Sequence, residues 1–395
     1  MNFMTELQGL EPAILADRAY LHQNPELSFQ EYETTAFLKK KLREFGVALE
    51  PLAMETGVSA LIQGGRPGPT ICIRNDMDAL PIQEQSGLPF ASKQEGISHA
   101  CGHDIHAIMA LYCAKLLQER REQLCGNVRI IIQPAEETGT GAYAMVKAGI
   151  MELAPKSDLV IGAHVYPSVP VGSIMVMKGP AQASSDHFKI TVRGRGGHGA
   201  YPHLCADPLV VSAYLITQLQ TVISREEMPT KPAVLTLGTI SGGTAANVIP
   251  DEVAMTGTLR NLYPDTREHN KEAICRITEY VCRSMRAEGV VEFSTGIPPV
   301  INDSEVIDGI VKAADQVLGP GHVITQEFPS MGADDFSVFL EYSPGAQIMV
   351  GSANDAPNTK VGLHRGENVF DPQSLMVGIC VLTQYVLNAL SDPSK

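Results

Sequence analysis

The order of apolar and polar positions divides the chain into alternating helices and strands. Residues 12–46 carry apolar positions at helical spacing in two runs, and the second run stops at Gly46, which is typical of a helix end. Short β-branched runs then alternate with helices, among them TICIRND, a helix at 103–117 and NVRIIIQPAEE. Strands that are apolar almost throughout and alternate with helices indicate a parallel or mixed sheet covered by helices on both faces.

A different pattern begins near residue 185. The segment DHFKITVRGRGG alternates apolar and polar positions, as a half-exposed strand does. A helix at 207–224, two strands, a helix at 265–288 and a last strand follow, in the order of a ferredoxin-like sandwich. We therefore predict an α/β fold. A mixed-sheet, three-layer catalytic domain consists of residues 1–184 and 296–395, and a ferredoxin-like α+β domain is inserted at 185–295.

Composition limits the classes of partner that this chain can bind and indicates where it is located. The chain has 395 residues and a formal net charge of -14, which opposes binding to nucleic acid or to an anionic membrane. No basic start followed by an apolar run opens the chain, and no stretch approaches the roughly 18 apolar residues that span a bilayer. Its 8 cysteines form no CxxC pair. We expect a cytoplasmic protein with reduced thiols that acts on small molecules.

Reactive side chains follow the predicted strands. In open α/β sheets, ligands bind at the carboxyl ends of the strands. The segment LVIGA is predicted to end at His164, and the loop SHACGHDIH stands immediately before a helix. The residues that these strands and this loop bring to one sheet edge are Asp76, Asp78, Cys101, His103, Glu136, Glu137, His164 and His364.

Three interpretations of this cluster compete. In the first, each residue alone has an ordinary structural role. In the second, Cys101 is a nucleophile, which would need a base and a group that orients the base. Together, however, the adjacent acids Glu136 and Glu137 would repel each other if they were buried without compensating cations. Mixed N, O and S donors suit Zn or Mn, with Co or Ni as alternatives. One ion takes about four ligands, so we predict two divalent ions held by Cys101, His103, Glu137, His164 and His364.

A glycine motif offers a competing function. The segment 194–199 matches G-x-G-x-x-G, which is typical of dinucleotide-dependent oxidoreductases. The next helix starts only near Asp207, and the next strand ends without the acidic residue that would hold a ribose, so we reject that interpretation. In the same domain, His198 can donate to an oxyanion, and Arg260 can bind a carboxylate through two N–H groups, with Asn247 nearby.

Several motifs together resemble one family, the co-catalytic metallopeptidases that include aminoacylase and glutamate carboxypeptidase. They are HQNPELSFQEYET, RNDMDALPIQE, HACGHDIH, QPAEET, GGHGAYPH, GGTAANVIPDEV, SMGADDF and GLH. The chain is most similar to the amidohydrolase branch with hippurate hydrolase and indoleacetyl-amino-acid hydrolase. Two departures are the segment RGENVF after His364, and Asp334 where Glu is common.

This resemblance implies a function and a role for each residue. The five predicted ligands would bind two ions, and Glu136 would be the general base. His198 would help to hold the oxyanion across a dimer interface, while Asn247 and Arg260 would contact the substrate. Asp78 and Asp104 would support imidazoles as second-layer partners, and the inserted domain would be a lid and dimerisation module.

The expected reaction is hydrolysis of the amide bond of an N-acyl amino acid by metal-activated water. The expected assembly is a homodimer or a higher homo-oligomer. A dipeptidase or carboxypeptidase of the same fold is the alternative, and a dinucleotide-dependent oxidoreductase is the distant one.

Overall fold

The computed structural model describes residues 3–391, with side chains from Thr5 onward, so the predicted domain limits at 1 and 395 lie outside the described residues. The helices are α1 Phe3–Gln23, α2 Tyr32–Glu44, α3 His103–Gln118, α4 Gly141–Lys147, α5 Pro208–Thr221, α6 Pro264–Ser284, α7 Ser304–Leu318, α8 Phe336–Leu340 and α9 Gln373–Ala389. The strands are β1 Ala48–Leu49, β2 Val58–Gln63, β3 Arg66–Asp76, β4 Cys125–Gln133, β5 Leu159–Pro170, β6 Ile174–Val176, β7 Gly179–Gln182, β8 Asp186–Arg193, β9 Gly197–His198, β10 Ala233–Gly242, β11 Val248–Ile249, β12 Glu252–Asn261, β13 Glu288–Phe293, β14 Val300–Asn302, β15 Val323–Thr325 and β16 Gly345–Ala353.

A mixed sheet organises the first compact unit, which comprises residues 3–179, 301–327 and 335–391 of the described chain. Its strand order is β1-β2-β4-β3-β5-β16-β6-β15. The four central strands β4, β3, β5 and β16 are parallel, and β1 and β2 join antiparallel at one side. Because the central strands are buried on both faces, their sequences are apolar almost throughout.

Helices cover both faces of this sheet, as the alternation of side chains along β3 shows. Asn75 donates from its side-chain amide to the carbonyl of His106 in α3 (2.6 Å). The preceding residue, Arg74, donates instead to Asp335 at the start of α8 (2.7 Å). Successive side chains of a strand point to opposite faces, so α3 and α8 lie on opposite sides of the sheet. The predicted three-layer α/β architecture is confirmed.

The second compact unit comprises residues 180–300 and 328–334. Its elements follow the order β8-α5-β10-β12-α6-β13, and the antiparallel sheet has the order β10-β12-β8-β13. This is the predicted ferredoxin-like sandwich. The segment 328–334 was not part of the predicted insertion. It joins this unit because the Ala183 N–H donates to the carbonyls of Ser330 and Gly332 (3.0 and 2.9 Å), a long-range contact that no local pattern reveals.

Two element boundaries differ from the prediction. The helix α6 ends at Ser284 rather than 288, because Arg286 adopts a left-handed backbone (φ 62°) and the Ala287 N–H turns back to the Cys282 carbonyl (2.9 Å). The strand β5 does not end at His164 but continues to Pro170, since its pairing with β16 extends to Ala353 opposite Pro170.

Candidate metal centre and active site

Adjacent parallel strands deliver the acidic residues of the site. In the β3–β4 register, Asp76 lies opposite Gln133, so both strands end at the same level. The chain then leads to Asp78 from β3 and to Glu136 and Glu137 from β4. The strand-end prediction is thus confirmed for these acids. His164 instead lies inside β5, level with Met349 of β16.

The loop before α3 brings Cys101 and His103 to the same place. Gly102 sits between them with a left-handed backbone (φ 87°), and a Cβ there would lie 2.4 Å from Val165 Cγ2. Only glycine fits this combination of backbone angle and close approach. The loop therefore packs tightly against β5, and both Cys101 and His103 are buried.

The structure brings all five predicted ligands together within the first unit. The Cys101 Sγ lies 3.5 Å from His164 Nε2. The Nε2 of His103 lies 3.7 Å from one Glu137 oxygen, and the Nε2 of His364 lies 3.4 Å from the other. Three sets of ligand atoms each fall within 4.8 Å of one another: Cys101, His103 and His164; Cys101, Glu137 and His364; and His103, Glu136 and Glu137.

Unsatisfied polar atoms show that this cluster fits cations. Among the described side chains, His103 Nε2 and Glu137 Oε1 are buried without a hydrogen-bond partner. The opposite ring nitrogens are occupied: His103 Nδ1 donates to Asp78 (3.1 Å), and His164 Nδ1 donates to the Val165 carbonyl (2.6 Å). Each imidazole therefore directs its Nε2 inward, that of His103 without a hydrogen-bond partner and that of His164 toward the Cys101 sulfur, which is the arrangement of metal-ligating histidines. Buried polar atoms are rarely left unpaired, and divalent ions would satisfy them.

The electrostatics of Cys101 oppose the nucleophile interpretation. Burial and the charge of Glu137 raise the pKa of the Cys101 thiol well above its ordinary value. A cysteine nucleophile needs the opposite shift, because the thiolate is the reactive form. A nearby cation would instead stabilise the thiolate as a ligand. A hydrogen bond to Glu137, opposed by partial burial, raises the pKa of His364, so this imidazole is attracted to the same acid.

Asp78 supports the site in more than one way. Besides binding His103, its carboxylate accepts the backbone N–H groups of Glu136 and Glu137 (3.1 Å each) and the hydroxyl of Ser28 (2.7 Å). One buried carboxylate thus fixes an imidazole and the backbone that carries both acids. Opposing the effect of burial, the hydrogen bond from His103 holds the pKa of Asp78 below its usual value, which keeps it an acceptor.

Asp104 also binds an imidazole, but not one of the predicted ligands. Its carboxylate accepts from His22 Nδ1 (2.9 Å) and Arg18 Nε (3.0 Å), both on α1. We expected Asp104 to support the imidazole of a metal ligand, but in the structure it contacts His22 and Arg18 instead. The reason is helical geometry: Asp104 follows His103 directly, and successive residues of a helix point in different directions.

His106 is likewise occupied on both sides of its ring. Its Nδ1 donates to Asp76 (2.6 Å), and its Nε2 accepts the Val165 N–H (2.8 Å). Although Asp76, His103 and His106 lie close enough to hold an ion, His106 has no free nitrogen for one. Asp76 in turn accepts from Arg74 (3.2 Å). Sequence reasoning missed Arg74, although an arginine within the apolar run TICIRND is a signal of a buried charge.

The second unit places two of its three predicted residues together. The short strands β9 and β11 pair His198 with Val248, and the Gly199 N–H donates to the Asn247 carbonyl (2.8 Å). The exposed His198 accepts the Ala200 N–H at Nδ1 (3.1 Å), so in the neutral ring Nε2 carries the proton and can donate. Arg260 lies in β12, and its side chain makes no hydrogen bond or ion pair with any described residue, although the charge of Asp186 acts on it.

The glycine motif does not form a dinucleotide-binding turn. The helix α5 begins at Pro208, where the Asp207 carboxylate caps it by accepting the Leu209 N–H (3.0 Å). Gly197 and His198 form β9 within the glycine motif itself. A dinucleotide-binding turn would lead directly from glycine into the helix, so the rejection of that interpretation is supported.

Within residues 3–391, no helix has the length and apolar character needed to cross a membrane.

Comparison with known proteins agrees with this site. The model of Peptidase family M20/M25/M40 matches residues 72–388. The chain is 42% identical to N-acetyl-L-cysteine deacetylase of Bacillus subtilis, over 88% of this chain and 82% of that protein. It is 36% identical to thermostable carboxypeptidase 2 of Saccharolobus solfataricus, over 94% of each. It is 34% identical to hippurate hydrolase of Campylobacter jejuni, over 95% of this chain and 96% of that protein.

A solved structure supports the same conclusion. The Bacillus subtilis YXEP protein, described as a dinuclear metal-binding peptidase of the M20 family, superimposes with a TM-score of 0.85 and 33% identity, over 97% of this chain and 99% of that one. The resemblance found in the sequence is thereby confirmed. The chain belongs to Peptidase family M20/M25/M40, and it is a metal-dependent amidohydrolase.

Proposed function

We propose that this protein hydrolyses the amide bond of N-acyl amino acids. The observation that carries the proposal is the group of five converging ligand residues beside Glu136, whose backbone Asp78 fixes. Relatives named for N-acetyl-L-cysteine and hippurate, which are both acylated amino acids, support this substrate class.

The proposed ligands are Cys101, His103, Glu137, His164 and His364, and they would hold two divalent ions. Cys101, His103 and Glu137 each belong to two of the three sets, so the sets overlap as two neighbouring ions would require. Imidazole, carboxylate and thiolate donors suit Mn or Zn, with Co or Ni as alternatives. When bound, such ions would polarise the amide carbonyl and increase the acidity of water.

Glu136 is the proposed proton carrier. Its side chain is not fully buried, and one of its oxygens lies 3.8 Å from His103 Nε2. From there the carboxylate would accept a proton from the attacking water and pass it to the departing amine, as general acid–base catalysis requires. Glu137, the adjacent acid, remains a ligand.

The second unit would recognise the rest of the substrate. The Nε2–H of His198, contributed across a dimer interface, would donate to the developing oxyanion. Arg260, whose side chain makes no ion pair with any described residue, would bind the substrate carboxylate, with Asn247 as a further contact. These roles, the lid function, the homodimer and the cytoplasmic location rest on the composition and the family resemblance.

A substrate panel tests the proposal against its alternative. A peptidase remains the second candidate because a carboxypeptidase is among the similar proteins. The panel contains an N-acetyl amino acid, a hippurate, the same acyl group on a simple amine, and a free dipeptide, each with added Mn or Zn and with a chelator. We expect hydrolysis of the first two only, and its loss with the chelator. Preference for the dipeptide, or hydrolysis unaffected by chelation, would contradict the proposal.

A further inference from the structure

We propose that Glu31, in the loop between α1 and α2, is a positioning residue for the catalytic turn Ala135–Glu137. The inference rests on the proposed function, because it concerns the general base Glu136. Glu31 belongs to the segment HQNPELSFQEYET, which contributes none of the proposed ligands. The structure places its side chain under the turn that carries both acids.

The contact is a buried hydrogen bond to a backbone in an unusual conformation. Glu31 is fully buried, and its Oε1 accepts the Ala135 N–H at 2.8 Å. Ala135 has a left-handed backbone (φ 55°), which residues other than glycine rarely adopt. Its carbonyl accepts the Gly141 N–H (3.0 Å). Such a conformation persists only where the surroundings enforce it, and Glu31 is one of the groups that do so.

The left-handed turn determines where the two acids point. The next two N–H groups, those of Glu136 and Glu137, donate to Asp78 (3.1 Å each). Two carboxylates from distant parts of the chain therefore hold three successive N–H groups. As a result, both acids reach His103 Nε2, at 3.8 and 3.7 Å. If Ala135 relaxed to an ordinary φ, the chain after β4 would leave in another direction, and Glu136 would lose its position.

A carboxyl group at position 31 is unfavourable for stability, so a purely structural role does not explain it. Its second oxygen is buried without a hydrogen-bond partner among the described side chains. Burial, partly opposed by backbone hydrogen bonds, raises the pKa of Glu31 to about 7. A buried and incompletely paired carboxyl destabilises a fold. A residue that is costly in stability is typical of functional sites, and here the turn beside it carries the general base.

The experiment distinguishes a change in the geometry of the catalytic turn from a loss of stability of the whole fold. In the Mn-loaded enzyme, Glu31→Leu should lower kcat about 10- to 100-fold, the effect expected when a catalytic group shifts by a fraction of an ångström to about one ångström. Bound metal and KM should stay within a factor of about two, because Asp78 still holds His103. Glu31→Gln keeps an acceptor oxygen for the Ala135 N–H and should retain most of kcat.

Rescue by glycine is the decisive measurement. Gly adopts the left-handed conformation without a steric penalty, so Ala135→Gly should raise the kcat of Glu31→Leu by about threefold or more. The matched control is Glu50→Gln, which removes a largely buried acid that pairs with Arg129 far along the chain (2.7 Å). It should reduce stability without changing kcat.

A second readout does not depend on turnover. Absorption of the Co-loaded protein reports the ligand geometry, so Glu31→Leu should change the spectrum and the double variant should restore it. If Glu31→Leu does not fold, Ala135→Val makes the same test, since β-branched residues disfavour the left-handed conformation. Unchanged kcat in folded Glu31→Leu, or absence of rescue in both readouts, would overturn the proposal. A wild type inactive on the whole panel would overturn the proposed function, while the spectra would still test Glu31.

Discussion

The candidate histidines of the two units are held in opposite ways. In the first unit, His103 and His164 are buried, and each has one ring nitrogen fixed by Asp78 or by a backbone carbonyl. In the second unit, His198 is exposed, and its ring accepts a neighbouring backbone N–H and lies beside the Tyr201 ring (5.3 Å between centroids). The first arrangement is organised before any ligand arrives, as metal binding demands. The second leaves a donor whose orientation a ligand or a partner subunit would have to complete.

This contrast predicts that changes in the two units will affect different quantities. Removal of the general base in the first unit should give the largest effect. Glu136→Gln keeps the shape of the side chain but removes the proton acceptor, so kcat should fall about 10³- to 10⁴-fold, at the upper end for general base catalysis. Elemental analysis should show unchanged metal. Near-normal hydrolysis by the metal-loaded variant would contradict the assignment of the base.

The exposed histidine of the second unit should come next. Loss of an oxyanion donor typically costs about 10²- to 10³-fold in kcat, so His198→Ala should show that loss with bound metal unchanged. His203→Ala is the matched control, because His203 is exposed in the same segment and has no proposed role. Equal losses from both substitutions would show that the segment, rather than the His198 ring, matters.

Co-expression can show whether His198 acts across a dimer interface. Subunits carrying Glu136→Gln and subunits carrying His198→Ala are each expected to be nearly inactive alone. In a mixed dimer, one site combines an intact base with an intact partner histidine. Random pairing should therefore restore about a quarter of wild-type activity, because C2 dimers contain two equivalent sites. Absence of complementation in purified mixed dimers would place His198 within its own subunit's site.

Two buried carboxylates of the first unit offer a smaller and more selective test. Asp78→Asn should weaken metal affinity about 10- to 100-fold, since Asp78 orients a proposed ligand. Asp104→Asn should leave metal affinity nearly unchanged, because Asp104 binds His22 and Arg18 instead. Competition with a chromogenic chelator measures both affinities. Equal losses of metal affinity in the two variants would show that the contact between Asp78 and His103 is not what supports the metal.

The last prediction concerns stability and pH and leaves catalysis aside. Burial lowers the pKa of His22, but the charge of Asp104 and hydrogen bonds to Asp104 and Glu84 outweigh it and raise the pKa to about 9. The protonated ring therefore stabilises the fold fully below pH 6.5, and this contribution is lost as pH rises through about 9. It amounts at most to on the order of 3 kcal/mol.

His22→Gln should remove this pH dependence. Chemical unfolding of chelator-treated wild type should lose stability between about pH 6.5 and 9, whereas the variant should show a flatter profile across the same window. Identical profiles would show that His22 does not carry the proton that its surroundings favour.

The sequence by itself determined the fold class, the ferredoxin-like insertion and the identity of the reactive residues. It could do so because apolar periodicity reports which face of an element is buried. Strand ends also report where an α/β sheet binds ligands. Cys101, His103, Glu137, His164 and His364 were predicted as ligands from these rules and from the loop before α3, although His164 lies inside β5 rather than at its end.

Only the tertiary structure decided which groups support those residues. Asp78 and Asp104 look equivalent in the sequence, each two positions or fewer from another reactive residue, yet only Asp78 contacts a proposed ligand. The link between Glu31 and Ala135 joins residues 104 positions apart. Such contacts depend on the direction of each side chain after folding, and local patterns contain no information about it. The sequence therefore identified the chemical groups, and long-range packing set their geometry.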